Sequence, residues 1–140
     1  MNTPSEPTAE PPPWHALAHA PAAGTVLGQR AALADGQPML HSVFAPDDVA
    51  QAHPFRVILL RSGQDITVYA NRCAHFGVPL AATQQQLIFR PHQSLSCNVH
   101  YARYRWSDGV CVQGDCEGES LVRIPVTVDA DGFIRIAFPG

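Results

Sequence analysis

The chain has 140 residues, 46% of them hydrophobic and 15% charged, and a formal net charge of −3. This supplies the core of one small domain, and the slightly acidic balance argues against a nucleic-acid binder, which carries a basic patch or stripe. No apolar run approaches the ~20 residues that a membrane-crossing helix needs.

Residues 1–13 contain five prolines and two glutamates, and are expected to form a disordered tail. They show no positive start, twin-arginine pair or apolar segment of a secretory signal, so a cytoplasmic protein is expected. In that compartment disulfides are rare, and four cysteines point to metal or redox chemistry.

Ordered structure is expected from Trp14 onward, as short strands broken by turns. Pro38 to Val43 reads as a strand. Pro46 to Ala52 reads as a short helix with Asp47 as N-cap, ended by Pro54. Phe55 to Leu60 is the clearest strand, apolar and partly β-branched. The turn Ser62-Gly63-Gln64-Asp65 leads it into Ile66 to Tyr69 as a hairpin. Leu87 to Phe89 and Leu95 to Cys97 flank a turn at Pro91-His92-Gln93. Tyr104 to Trp106 precedes a turn at Ser107-Asp108-Gly109, then Val110 to Val112. Val126 to Val128 and Phe133 to Phe138 flank Asp129-Ala130-Asp131-Gly132, and both Asp-Gly turns are hairpin signals. In the last strand Ile134, Ile136 and Phe138 alternate with Phe133, Arg135 and Ala137, the mark of a sheet with one buried face. With no repeat and no long helix, the fold class is all-β, a small antiparallel sandwich or barrel.

Two segments carry the chemistry. The first is Asn71-Arg72-Cys73-Ala74-His75-Phe76-Gly77-Val78-Pro79-Leu80, and the second is Ser96-Cys97-Asn98-Val99-His100-Tyr101. Reduced to ligand types they read Cys-x-His, 21 residues, then Cys-x-x-His. Each half sets a thiolate and an imidazole on one tight loop, and the flanking strands bring the loops face to face. Two sulfur and two nitrogen donors then converge on one volume. By donor type alone, a tetrahedral zinc site stays open as an alternative.

The pattern resembles the Rieske iron–sulfur family. Gly77 and Pro79-Leu80 stand where its first loop carries Gly and Pro-Leu, and Ser107 to Gly118 is similar to the glycine-rich stretch after its second loop. The resemblance runs from about Trp14 to the C-terminus and is strongest over 69–128. It implies one domain over 14–140, with two loops forming a cluster-binding subdomain at about 70–107. It implies one [2Fe–2S] cluster, with Cys73 and Cys97 on one iron and His75 and His100 on the other. Neutral imidazoles donate less charge than thiolates, so the histidine-bound iron accepts the electron and the potential lies above that of all-cysteine clusters.

The respiratory type carries an extra cysteine in each loop, joined as a disulfide. Here those positions hold Val78 and Val99. The resemblance is therefore to the low-potential oxygenase-ferredoxin group, with few hydrogen bonds to the sulfurs and a potential near the low end of the range, about −150 mV or somewhat above. Asn98, Tyr101 and the Tyr104-Arg105-Trp106 run depart from that group's usual residues.

The function implied is one-electron transfer by a ferredoxin that is not itself an enzyme. Its partners would be a flavin reductase and a terminal oxygenase or reductase, with no nucleic acid and no membrane. The alternatives are a small non-catalytic subunit of a larger reductase, similar to that of nitrite reductase, and a redox-sensing or zinc-binding interaction module. Cys111 and Cys116 are expected to be inert packing residues, with a regulatory disulfide as the alternative. Trp14 and Trp106 are expected to pack in the core, while His15, His19, His41, His53 and the turn residue His92 are expected at the surface. Arg72, Arg90, Arg103 and Arg105 are scattered surface charges or, alternatively, a basic docking face.

Overall fold

The computed structural model describes residues 13–74, 78–97, 102–114 and 116–138. The predicted tail therefore lies, apart from Pro13, outside the described residues, as do His75 and His100.

Ten strands run in chain order: β1 (Val26–Gln29), β2 (Met39–Val43), β3 (Phe55–Ser62), β4 (Asp65–Ala70), β5 (Ile88–Arg90), β6 (Ser94–Ser96), β7 (Arg103–Arg105), β8 (Cys111–Gln113), β9 (Val126–Val128) and β10 (Phe133–Ile136). The helical elements among the described residues are three-residue 3₁₀ turns at Trp14–Ala16, Arg30–Ala32 and Gln84–Gln86. The strands form three antiparallel sheets, ordered β1-β10-β9, β2-β3-β4 and β5-β6-β7-β8. The expected all-β architecture is what the chain adopts.

The middle sheet explains why Val57-Ile58-Leu59-Leu60 is continuously apolar. Side chains alternate across a strand, and here both faces are covered. Val57 and Leu59, opposite Ala70 and Val68, join a core with Leu27, Ile134 and Ile136 of the first sheet. Ile58 and Leu60, with Tyr69 opposite Ile58, join a second core with Leu95, Tyr104 and Cys111 of the third sheet. The segment after β8 follows the same alternation, Leu121 entering one core and Val122 and Ile124 the other. It lies along β4, where Ala70 N–H donates to the Val122 carbonyl and Ile124 N–H to that of Val68, both at 2.9 Å.

The Asp-Gly turns fall where the sequence puts them. Gly109 has φ +76°, and a Cβ there would stand 2.7 Å from the Tyr69 ring, so this turn needs glycine for its backbone and its space. In β10, Ile134 and Ile136 are buried as expected, whereas Phe138 lies beyond the strand and is 75% exposed.

The segment at 46–52 corrects the expected helix. It forms two successive turns, closed by Asp48 N–H to the Ala45 carbonyl and Gln51 N–H to that of Asp48. The capping carboxylate is that of Asp48, not Asp47. It accepts from Ala52 N–H at 3.0 Å and His53 N–H at 2.9 Å. These backbone donors hold the carboxyl below its ordinary pKa. Two turns satisfy the local polar groups without the apolar stripe that a helix needs for packing.

Candidate metal centre

Cys73 lies just past β4, after Asn71 and Arg72, and Cys97 follows β6 directly. Both cysteines are outside disulfides and buried, at 1% and 0% exposure, in the core between the second and third sheets. Each opens its loop in the same way. Cys73 N–H donates to the Val78 carbonyl at 2.5 Å, and Cys97 N–H donates to the Ala102 carbonyl at 2.9 Å. Both bonds close over a separation of five residues.

The first loop is also pinned from inside by Asn71, which is 4% exposed. Its Nδ2 donates to the Ala81 carbonyl at 2.9 Å, and its Oδ1 accepts from Leu80 N–H at 2.8 Å. Beside it, Tyr69 Oη donates to the Trp106 carbonyl at 2.9 Å. Burial raises the Tyr69 pKa to about 12. Sequence reasoning passed over Asn71, although a polar residue after the buried Val68-Tyr69-Ala70 run was a signal that it had local partners.

Tyr104 was read as part of a strand, in a run that departs from the resembled group, and was given no role, yet its hydroxyl meets Cys73 in the described site. It is fully buried on β7, and its hydroxyl lies 3.1 Å from Cys73 Sγ. The same oxygen accepts from Ala74 N–H at 3.0 Å and lies 3.4 Å from Cys116 Sγ. Burial first, and then the Cys73 hydrogen bond, raise its pKa. At neutral pH the hydroxyl keeps its proton and donates it to Cys73 when that sulfur is a thiolate.

Cys111 and Cys116 are not inert packing residues. They form a disulfide with Cα atoms 5.8 Å apart. Both sit in the same core as Tyr104. The alternative reading, a disulfide between these two cysteines five residues apart, is thus the pairing present.

The remaining expected residues are placed as follows. Trp14 and Trp106 are buried, at 8% and 3% exposure, while His15, His19, His41 and His53 are at the surface. His92 is exposed in its turn with φ +62°. Its ring bonds Ser62 Oγ at 2.8 Å and faces Asp35 at 3.4 Å. Arg90 and Arg105 both pair with Ser94, and Arg103 pairs with Ser96, so the three share one face of the third sheet. Arg105 is held by Asp108 at 2.7 Å, and Arg72 lies apart, just past β4.

Among the described residues alone, no three histidine, cysteine, aspartate or glutamate side chains are grouped to hold a metal ion. The pattern's other half, His75 and His100, lies outside them. What is described fits a thiolate-ligated cluster. Of the four cysteines, two are consumed by a disulfide, and the two outside it are the two that the ligand pattern requires. Both are shielded from water, and one is met by a hydroxyl donor.

The chain's identity follows from comparison. Residues 25–128 match the sequence profile of the Rieske [2Fe–2S] domain, and the chain belongs to that family. Its cofactor is accordingly one [2Fe–2S] cluster. Among solved structures it is similar to the ferredoxin of carbazole 1,9a-dioxygenase from Nocardioides aromaticivorans IC177, at 17% identity and a TM-score of 0.61, covering 84% of this chain and all of that one. It is also similar to the Sphingomonas yanoikuyae B1 ferredoxin, at 20% identity and a TM-score of 0.60, covering 83% and 99% of the two chains. The terminal oxygenase of carbazole 1,9a-dioxygenase from Novosphingobium sp. KA1 contains a similar fold, with 20% identity, a TM-score of 0.65 and 86% of this chain matched to 31% of that one. No curated protein matches the chain significantly.

Proposed function

We propose that this protein is a ferredoxin, a one-electron carrier that serves a terminal oxygenase and takes its electrons from a flavin reductase. The observation that carries this reading is coverage. The family match spans residues 25–128, and two solved ferredoxins are covered at 100% and 99% of their length. By contrast, the similar oxygenase is covered over 31%. That match to whole ferredoxins supports the reading of an electron carrier that is not itself an enzyme. The cytoplasm is its proposed compartment, and no helix of the described residues is long and apolar enough to cross a membrane.

In this reading Cys73, His75, Cys97 and His100 hold the cluster, and residues about 70–107 form the subdomain around it. The bound cluster supplies a reversible one-electron couple. The chain supplies the rest. Leu80, Leu95 and Trp106 exclude water from the cysteine side, Asn71 keeps the first loop closed, and Tyr104 holds a proton at the Cys73 sulfur.

An anaerobic redox titration tests the proposal. A reversible couple of one electron per chain, within the Rieske range of about −150 to +300 mV, is the expected result. A colourless protein carrying one zinc would overturn it in favour of the interaction module.

A further inference from the structure

The ring of Tyr104 is bracketed at both ends by one covalent bridge. At its root, Tyr104 pairs directly across the β7–β8 ladder with Cys111. At its tip, the hydroxyl lies 3.4 Å from Cys116 Sγ. Cys111 and Cys116 are joined, so the disulfide spans the ring from backbone to hydroxyl. All three residues are buried, at 2%, 1% and 0% exposure for Cys111, Cys116 and Tyr104.

The turn that the bridge closes also presses on the second loop. A Cβ at Gly114 would stand 3.1 Å from the Ala102 backbone, and Ala102 supplies the carbonyl that closes the Cys97 loop. Glu119 N–H donates to the Cys116 carbonyl, and Cys111 N–H to that of Glu119, both at 2.8 Å. The bridged turn is therefore fixed by its own backbone as well as by the core.

We propose that the Cys111–Cys116 disulfide is a positioning device, which clamps the Tyr104 hydroxyl onto Cys73 and so sets the potential of the cluster. This rests on the cluster assignment above. A disulfide sulfur carries no proton, so the hydroxyl in this state accepts from Ala74 N–H and gives its own proton to Cys73. The reduced cluster is more negative by one charge, so a donor at its sulfur stabilises that state more and raises the potential. When a dithiol opens the bridge, the S–S bond breaks, two S–H bonds form and the dithiol becomes a disulfide. The two sulfurs then need non-bonded separation in a close-packed core, and Tyr104 loses its fixed position. Opening lowers the cluster's potential.

The test is a cycle on the cluster-loaded protein, with Cys111→Ala plus Cys116→Ala made alone and with Tyr104→Phe. Three readouts are taken: midpoint potential, thiol count after denaturation and iron removal, and deuterium exchange of the peptide containing Ala74. The expected native count is two thiols, rising to four after dithiothreitol. Opening the bridge should lower the midpoint, in the same direction as Tyr104→Phe and by no more, and should speed exchange at Ala74. It should have no further effect on either quantity when Tyr104→Phe is already present. Four thiols without reduction, an unchanged midpoint, or an equal drop with and without the Tyr104 hydroxyl would each overturn the proposal. Dithiothreitol on the native chain repeats the comparison without substitution. Failure of the cluster assignment shows separately, as missing visible absorption, and then the thiol count and Ala74 exchange still decide whether the clamp exists.

Discussion

At the scale of the residue, the Tyr104 hydroxyl is a buried polar partner of one cysteine sulfur of this site. Tyr104 Oη meets Cys73 Sγ at 3.1 Å across a separation of 31 residues. A hydrogen bond to a charged partner is worth about 1.5–3 kcal/mol. If the reduced cluster takes about 1 kcal/mol more of it than the oxidised one, the potential rises by about 40 mV for one electron. Tyr104→Phe should therefore lower the midpoint by that order in a redox titration, and an unchanged or higher value would remove the hydroxyl from the account. Cys73 and Cys97 were legible because ligand spacing is local. Tyr104 was not, because its role exists only once β7 lies over the first loop.

Tyr69 gives the corresponding statement about stability. Its pKa is raised from 10.0 to about 12 by burial, so the folded state holds its proton more tightly than the unfolded chain. The stability it contributes is complete below pH 10 and is lost as pH rises toward 12, reaching about 3 kcal/mol. Thermal unfolding should be flat in this respect between pH 8 and 9.5 and fall steeply above pH 10. Tyr104, raised in the same direction, adds to that fall, so Tyr69→Phe should reduce it without abolishing it, and a parallel pH dependence in the variant would assign it to other groups.

At the scale of elements, the two ligand loops depend on how β4 and β6 end. Asn71 replaces the ladder bonds that β4 gives up, through Leu80 N–H and the Ala81 carbonyl. Asn71→Ala leaves two buried backbone groups unpaired, at about 1–3 kcal/mol each. The expected outcome is a lower melting temperature together with faster loss of iron on chelator challenge. Wild-type iron retention would show that the loop does not need the staple.

The same scale explains which elements could be read. β3 announced itself because both of its faces are buried, making a continuous apolar run. β1 gave no such signal, since only Leu27 of its four residues is buried and Gly28 interrupts it. The turn pair at 46–52 imitated a helix start because Asp48 serves its backbone donors as an N-cap would.

At the scale of the molecule, the middle sheet separates two cores with different work. One packs Leu27, Ile134 and Ile136 of the first sheet against Val57, Leu59 and Val68 of the middle sheet. The other joins β3 and β4 to both cysteines, Tyr104 and the disulfide. The site is therefore an outgrowth of a core face, and Ile58, Leu60 and Tyr69 transmit its position to the rest of the fold. The sequence revealed this face through its ligands and hairpin turns. It left the Cys111–Cys116 disulfide as an alternative to inert packing, because the cytoplasmic reading argued against one and a spacing of five residues fits either.

The most direct measurement of the central claim is pulsed electron paramagnetic resonance of the dithionite-reduced protein, with iron and sulfide counted on the same sample. The expected result is two irons and two sulfides per chain, with one unpaired spin coupled to two imidazole nitrogens. The couplings should disappear one at a time with His75→Ala and His100→Ala. A reduced signal lacking nitrogen couplings, or a protein without iron, would contradict the account.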